Sequence, residues 1–343
     1  MQYDLTSLMP VMPEIFLLAA TSVVLVVDLF LSQRTRLVTY GLTLLTLLGT
    51  VMVTLWSGGG EAQVLFAESY VRDPMSDLIK VALLLISGLA MVYAKDYLIE
   101  QGIYRGEFYT LSLFAILGMM LMASAYSFVT VYLGLELLAL SMYALVAFDR
   151  DSKKGAEAAM KYFVLGAIAS GMLLYGMSML YGATGALTFP KMAAALQGGA
   201  EVDQIVLVFG LVFIVIGIAF KFGAVPFHMW VPDVYHGAPT AVALFLGSAP
   251  KLAAFALAFR LLADGMQSLS PHWQDMLIIL AVISMAIGNL VAIAQQNLKR
   301  MLAYSTISHV GFIFLGILAA NDRGYGAALF YTVVYALTAA GGF

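Results

Sequence analysis

The sequence contains no cysteine in its 343 residues. That absence excludes disulfides, cysteine-ligated iron–sulfur clusters, thiol-attached c-type haem and cysteine–zinc sites, and it leaves the redox compartment unreadable from thiols. Charge is also scarce, with Asp, Glu, Lys and Arg making up 11% of the chain, less than half the share usual in a soluble domain. Its 17 basic and 20 acidic residues give a formal charge of −3, so there is no basic field for nucleic acid. The opening residues MQYDLTSLMPVMPE lack the positive n-region of a secretory signal and the Arg-rich character of a transit peptide. No HExxH, nucleophile elbow or phosphate-binding loop occurs.

What the chain has in abundance is apolar length. Hydrophobic residues make up 62% of it, which defines an all-α polytopic membrane protein, its first apolar run retained as a span. Runs near bilayer-crossing length give eleven candidate spans: 11–31, 37–56, 75–94, 108–125, 127–147, 155–181, 204–235 (broken), 239–262, 275–294, 300–319 and 326–343. The loops of any size are the stretch from Gly58 to Glu68 and the segment from Pro190 to Asp203, where KMAAAL predicts a short surface helix. The last run stops at Phe343 without a polar flank, so further spans are expected after it.

Basic residues divide unevenly between alternate loops. Arg34, Arg36, Lys95, Arg105, Arg150, Lys153, Lys154, Lys299 and Arg300 fall on one side, and Arg72, Lys191, Arg260 and Arg323 on the other. The positive-inside rule puts the richer side in the cytoplasm and the N-terminus outside, in a bacterial inner membrane.

Charges inside the spans carry most of the functional signal. Glu136 lies near the middle of its run, Lys251 and His309 are central in theirs, and Lys221 sits where the 204–235 run breaks. A central Glu or Lys reaches the interface poorly and is functional by default. Lys161 and Lys80 lie nearer span ends and can instead snorkel; Lys161 can also pair locally with Glu157 four residues before it. His228 and His309 serve equally as neutral cross-helix hydrogen-bonding groups. Together they are also the available pair for an intramembrane haem b. At about 10 Å and an effective dielectric near 20, neighbouring charges couple by about 1.7 kcal/mol. That exceeds one pKa unit, so a lateral row of such groups suits proton movement through the membrane plane.

The stretch GIAFKFGAVPFHMWVPDVYHGAPT supplies a break at that depth. Gly223 and Pro226 unwind the helix, while Pro232 and Pro239 shape its continuation. Freed backbone groups inside a membrane persist only where protein or water satisfies them, which predicts a hydrated cavity at Lys221.

The runs FKFGAVPFHMWVPDVYHGAPT, YLGLELLALSMYAL, KYFVLGAIASGMLLYGMSMLYGATG and NLKRMLAYSTISHVGF resemble the N subunit of respiratory complex I, over essentially the whole chain. This is the antiporter-like membrane subunit family of the proton-pumping NADH:quinone oxidoreductase. The resemblance implies a fourteen-helix fold of inverted five-helix repeats with a discontinuous helix. Residues 1–107 would form an N-terminal three-helix segment, 108–262 the first repeat, and 263–343 part of the second. It further implies proton transfer by Glu136, Lys161, Lys221 and Lys251, with Lys161 pairing with and modulating Glu136, and His228 and His309 as relay candidates. The subunit would be a non-redox part of a translocase. No metal or cofactor is expected in this chain, and NADH, FMN, iron–sulfur clusters and quinone would lie in partner membrane and peripheral subunits. The competing readings are a subunit of a multisubunit Na+(K+)/H+ antiporter or of a membrane-bound hydrogenase.

Overall fold

The computed structural model describes residues 5–32, 35–197 and 203–343. Arg34, counted above among the loop cations, and positions 198–202 of the second loop lie outside the described residues. The chain runs through α1 (Met12–Asp28), α2 (Leu37–Ser57), α3 (Pro74–Glu100), α4 (Gly106–Ala123), α5 (Phe128–Val146), α6 (Lys153–Thr184) and a short α7 (Phe189–Gln197). It continues through α8 (Gln204–Phe222), α9 (Trp230–Gly237), α10 (Thr240–Gly247), α11 (Ala249–Ala258), α12 (Ser270–Ile293), α13 (Leu298–Leu318) and α14 (Asp322–Gly342).

Among the described residues ten helices are long and apolar enough to cross a bilayer, with α10 and α11 falling inside one of them, Thr240–Gly265. The eleventh expected run also forms a helix, α14, of 21 residues, but it is less apolar and falls outside that set. The expected KMAAAL helix is present as α7. The Gly58–Glu68 stretch, expected as a plain loop, instead leads into a small antiparallel hairpin, β1 (Gln63–Leu65) and β2 (Tyr70–Arg72). Phe66, Ala67 and Glu68 turn it with positive φ, a turn that no glycine announces in the sequence.

Local chemistry sets the helix starts. Asp73 and Ser76 form a reciprocal capping box at α3, while Ser127, Ser152, Asn297 and Asn321 cap α5, α6, α13 and α14 through their side-chain oxygens. With little hydrophobic drive between helices in lipid, close packing and small residues bring them together. A Cβ on Gly118 of α4 would lie 2.6 Å from the Leu138 amide of α5, so only glycine permits that approach.

The helices then pack into one body. α1, α2, α3 and α4 are mutual neighbours, α6 lies along α8 and α9, and α13 packs on α12, α9 and α14. The Thr240–Gly265 span runs through the middle, touching α3, α4, α8 and α14, with 94% of its most apolar window buried. Any polar group on it is therefore held away from lipid.

Candidate functional site

The 204–235 run breaks where the sequence predicts. α8 ends at Phe222, Gly223 takes the left-handed conformation at φ 80°, and the helix resumes only at Trp230. An α-helix ends with carbonyls that lack partners, and inside a membrane each must find one. Here Trp230 Nε1 donates to the Phe220 carbonyl at 3.0 Å, and Lys251 Nζ donates to the Phe222 carbonyl at 2.8 Å. Beyond the break, the Val225 amide donates to Ser284 Oγ at 2.9 Å. Lys251 and Lys221 thus both sit at the negative end of the α8 dipole, where cations are favoured.

Lys251 lies beside a second interruption that the sequence reading missed. The central span is broken at Ser248, whose backbone departs from helical values at φ −107° and ψ −94°. The Ser248 hydroxyl back-bonds to the Leu244 carbonyl at 2.8 Å, and Pro250 follows in the first turn of α11. The dipeptide pattern Gly247-Ser248 before Pro250 was the available signal. Both lysines are therefore presented at helix junctions rather than on continuous helix faces.

Two small cavities meet at Lys221. One is lined by Ser170, Tyr143, Phe220 and Lys221, the other by Tyr162, Trp230, Lys221 and Lys251. Each is about 10 Å3, room for about one water molecule. Glu136 on α5 joins the first cavity through Ser170 on α6, whose hydroxyl bonds its carboxylate; Tyr132 lies 3.3 Å from the same hydroxyl. Glu136 thus reaches, through Ser170, the cavity that Lys221 lines, and Lys221 shares the other cavity with Lys251. Ser170 and Tyr132 were not anticipated, because hydroxyls on membrane helices usually bond to their own backbone and give no distinct sequence signal.

Lys161 is elsewhere. Its ammonium binds Glu157 at 2.8 Å and Asp233 at 2.9 Å, so the local pair with Glu157 forms and its charge partners are these two rather than Glu136. Asp233 also receives Arg300 at 2.7 Å, which ties α9 to α6 and α13. A 170 Å3 cavity opens beside this cluster, lined by Lys154, Glu157, Lys161, Asp233 and His236.

Lys80 corrects the snorkelling expectation. It is fully buried, with Glu14 of α1 at 2.7 Å and the Tyr70 hydroxyl at 3.0 Å. A partner across the helices removes the need to reach the interface. Arg260 is likewise buried, against Asp73 at 2.8 Å and Asp264 at 2.7 Å.

The histidines occupy separate surroundings. His309 Nδ1 lies 2.7 Å from the Tyr331 hydroxyl of α14, and its ring packs near Tyr335. His228 lies in the break with Nδ1 buried and unpartnered, its ring 6.4 Å from that of Tyr304, more than one turn along α13 from His309. Pro226 is exposed in the same stretch. Among the described residues no group of three or more His, Asp or Glu is placed to hold a metal ion.

A helical membrane body with two spans broken beside lysines, Lys221 half-buried and Lys251 buried, has the layout of the antiporter-like class of transport subunits. The profile of the family described as NADH:quinone oxidoreductase/Mrp antiporter, TM, matches residues 125–343. The NADH-quinone oxidoreductase subunit N of Thioalkalivibrio sulfidiphilus (strain HL-EbGR7) is 57% identical over all 343 residues, which correspond to 72% of that protein. The subunit N of Nitrosomonas europaea is 52% identical over the same length, 71% of its own. The structure of respiratory complex I from Thermus thermophilus with bound aureothin superposes with a TM-score of 0.78 at 32% identity, over 96% of this chain and 68% of that one. The Mrp complex from Dietzia sp. DQ12-45-1b shares the fold at a TM-score of 0.79 and 22% identity, over 98% of this chain and 63% of that one. The chain belongs to the NADH:quinone oxidoreductase/Mrp antiporter transmembrane family.

Proposed function

We propose that this chain is a proton-translocating membrane subunit of an NADH:quinone oxidoreductase, and that protons cross part of it along Glu136, Lys221 and Lys251. The observation that carries this reading is Lys221, shared by a cavity that reaches Ser170 of the Glu136 pair and a cavity that holds Lys251. A proton leaving one group can cross about one water to the next, and each transfer alters the field at its neighbour. Lys251, bound to the Phe222 carbonyl at the end of the half-helix, would sense protonation at Lys221 through both charge and the freed backbone. Lys161 would act on this row electrostatically from the Asp233 cluster. His228 and His309 are relay candidates on either flank. Gly223 and Pro226 form the break that opens the row to water.

Residues 108–262 would form the first inverted repeat and 263–343 part of the second, behind an N-terminal segment of residues 1–107. The excess of loop cations favours the Lys161–Asp233–Arg300 side as cytoplasmic, with the N-terminus periplasmic, in the bacterial inner membrane. Electron transfer from NADH through flavin and iron–sulfur centres to quinone would take place in partner subunits. The oxidoreductase is favoured over an antiporter by 57% identity to a subunit N against 22% to the Mrp chain.

The test uses the full-length chain in its assembled complex. Glu136→Ala or Lys221→Ala should lower quinone-coupled proton uptake by inverted vesicles to a small fraction of wild type, with NADH oxidation falling in parallel. Wild-type pumping in both variants would falsify the proposal. Copurification of flavin and iron–sulfur proteins separates the oxidoreductase from an antiporter.

A further inference from the structure

Two aromatic rings line the inner cavity, next along α6 and α9 to residues that line the outer one. Tyr162, next in sequence to Lys161, stacks on Trp230 with centroids 4.7 Å apart and planes at 19°. Both side chains are buried, and both line the inner cavity with Lys221 and Lys251. The neighbours of these rings along their own helices line the 170 Å3 outer cavity: Glu157 and Lys161 on α6, Asp233 and His236 on α9. The stack thus stands on the wall of the pocket that holds Lys221 and Lys251, one residue along α6 and three along α9 from side chains of the open, charged cavity.

Trp230 is fixed at several points. Its indole N–H is bound to the Phe220 carbonyl, and Lys251 Nζ lies 5.8 Å from its ring. One turn further along α9, Asp233 holds Lys161 of α6 and Arg300 of α13 together. α9 is only eight residues long and follows a non-helical stretch. These two charge contacts therefore do much to set its position against α6, and hence the overlap of the two rings.

We propose that the Tyr162–Trp230 stack is a gate between the outer charged cavity and the Lys221–Lys251 pocket. Asp233, bound at once to Lys161 and Arg300, is the positioning residue that holds the gate shut. The inference rests on the proton path proposed above and adds to it the point at which water from the Asp233 face is stopped. Loss of either ion pair frees α9 to tilt from α6, parts the rings and joins the two cavities. Lys161 would then influence the buried row through the gate rather than by direct contact with Glu136.

Water access can be read independently of pumping. The 343 residues contain no cysteine, so Leu246→Cys places a single reporter thiol in this part of the chain, on the wall of the inner cavity. Inverted vesicles carrying the assembled complex are exposed to silver ion, a small thiol-reactive cation, and unreacted thiol is then counted with maleimide after denaturation. Lys154→Cys, in the outer cavity, is the reactive control.

Leu246→Cys alone should react slowly. Adding Trp230→Ala should speed it about tenfold, from the lost ring packing. Asp233→Asn should speed it several-fold, and Trp230→Phe should stay close to the slow rate. Equal rates with and without Trp230→Ala, or a reporter as reactive as the Lys154→Cys control in the unaltered chain, would overturn the gate. If Trp230→Ala does not assemble, an unchanged rate in Asp233→Asn overturns it instead. Abolished pumping in Lys221→Ala with unaltered silver rates refutes the gate alone. Normal pumping in Lys221→Ala and Glu136→Ala refutes the underlying path whatever the silver rates show.

Discussion

Single side chains separate into those whose isolation marked them and those defined only by their partners. Glu136, Lys221 and Lys251 stood out because a central charge in an apolar run is costly unless it does something. Their position was legible, but the hydroxyl that holds Glu136 was not, since Ser170 becomes a partner only when α5 and α6 pack. Ser170→Ala removes that bond while leaving the charge in place, and should lower coupled proton uptake several-fold, a weaker defect than Glu136→Ala. Equal loss in the two variants would mean that the carboxylate works only with the hydroxyl in place. Lys80 shows the opposite outcome, a lysine read as snorkelling that is buried against Glu14. Removing one partner leaves a lone charge in a dry interior, so Lys80→Met should destabilise the chain by about 3–5 kcal/mol. Pairing it with Glu14→Leu should recover most of the loss. Thermal unfolding of the purified complex and the amount of assembled chain report both effects.

At the scale of elements, glycine and proline made one helix break visible and left the other obscure. GAVP after Lys221 combines a residue free to adopt positive φ with one that cannot donate to a helix, so the first break was legible. Gly247-Ser248-Ala249-Pro250 lies inside a longer apolar run, and Pro250 alone reads as the ordinary first-turn proline of a continuing helix. What interrupts the span is the Ser248 backbone, which depends on packing around the centre of the molecule. The β1–β2 hairpin was missed for a related reason, because Phe66, Ala67 and Glu68 adopt positive φ without the residues that usually favour it. Gly223 is therefore the sharper target. A Cβ there would lie 2.5 Å from Val231 Cγ2 at a φ of 80°. Gly223→Ala should cost about 1–3 kcal/mol from backbone strain, before any steric relaxation. Because the strain falls on the segment that fixes Lys221, proton uptake per NADH should drop more than the amount of assembled complex does. Equal declines would make the glycine a folding requirement only.

Across the whole molecule, buried and half-buried ion pairs join segments far apart in sequence, at places the apolar pattern does not reveal. Arg260 of the central span grips the Asp73 carboxylate through two nitrogens, at 2.8 and 2.9 Å, and donates to the Ala123 carbonyl at 3.1 Å. One guanidinium thus ties the start of α3, the end of α4 and the exit of the central span. Loop counting placed Arg260 among the solvated cations, since sequence distance hides a partner 187 positions away. Burial alone would raise the Asp73 carboxyl, but the Arg260 guanidinium and the Ser76 amide outweigh it and hold it below the ordinary carboxylate value. A depressed carboxyl contributes stability that is fully present above its unfolded value, about pH 4, and is lost as pH falls through the folded value. Asp73→Asn should therefore unfold at a lower temperature than wild type between about pH 5 and 7, and that difference should narrow below about pH 4. The measurement is the paired melting temperature of the two complexes across that range. A gap that stays constant to pH 3 would show that Asp73 acts through its α3 cap geometry rather than through the charge that binds Arg260.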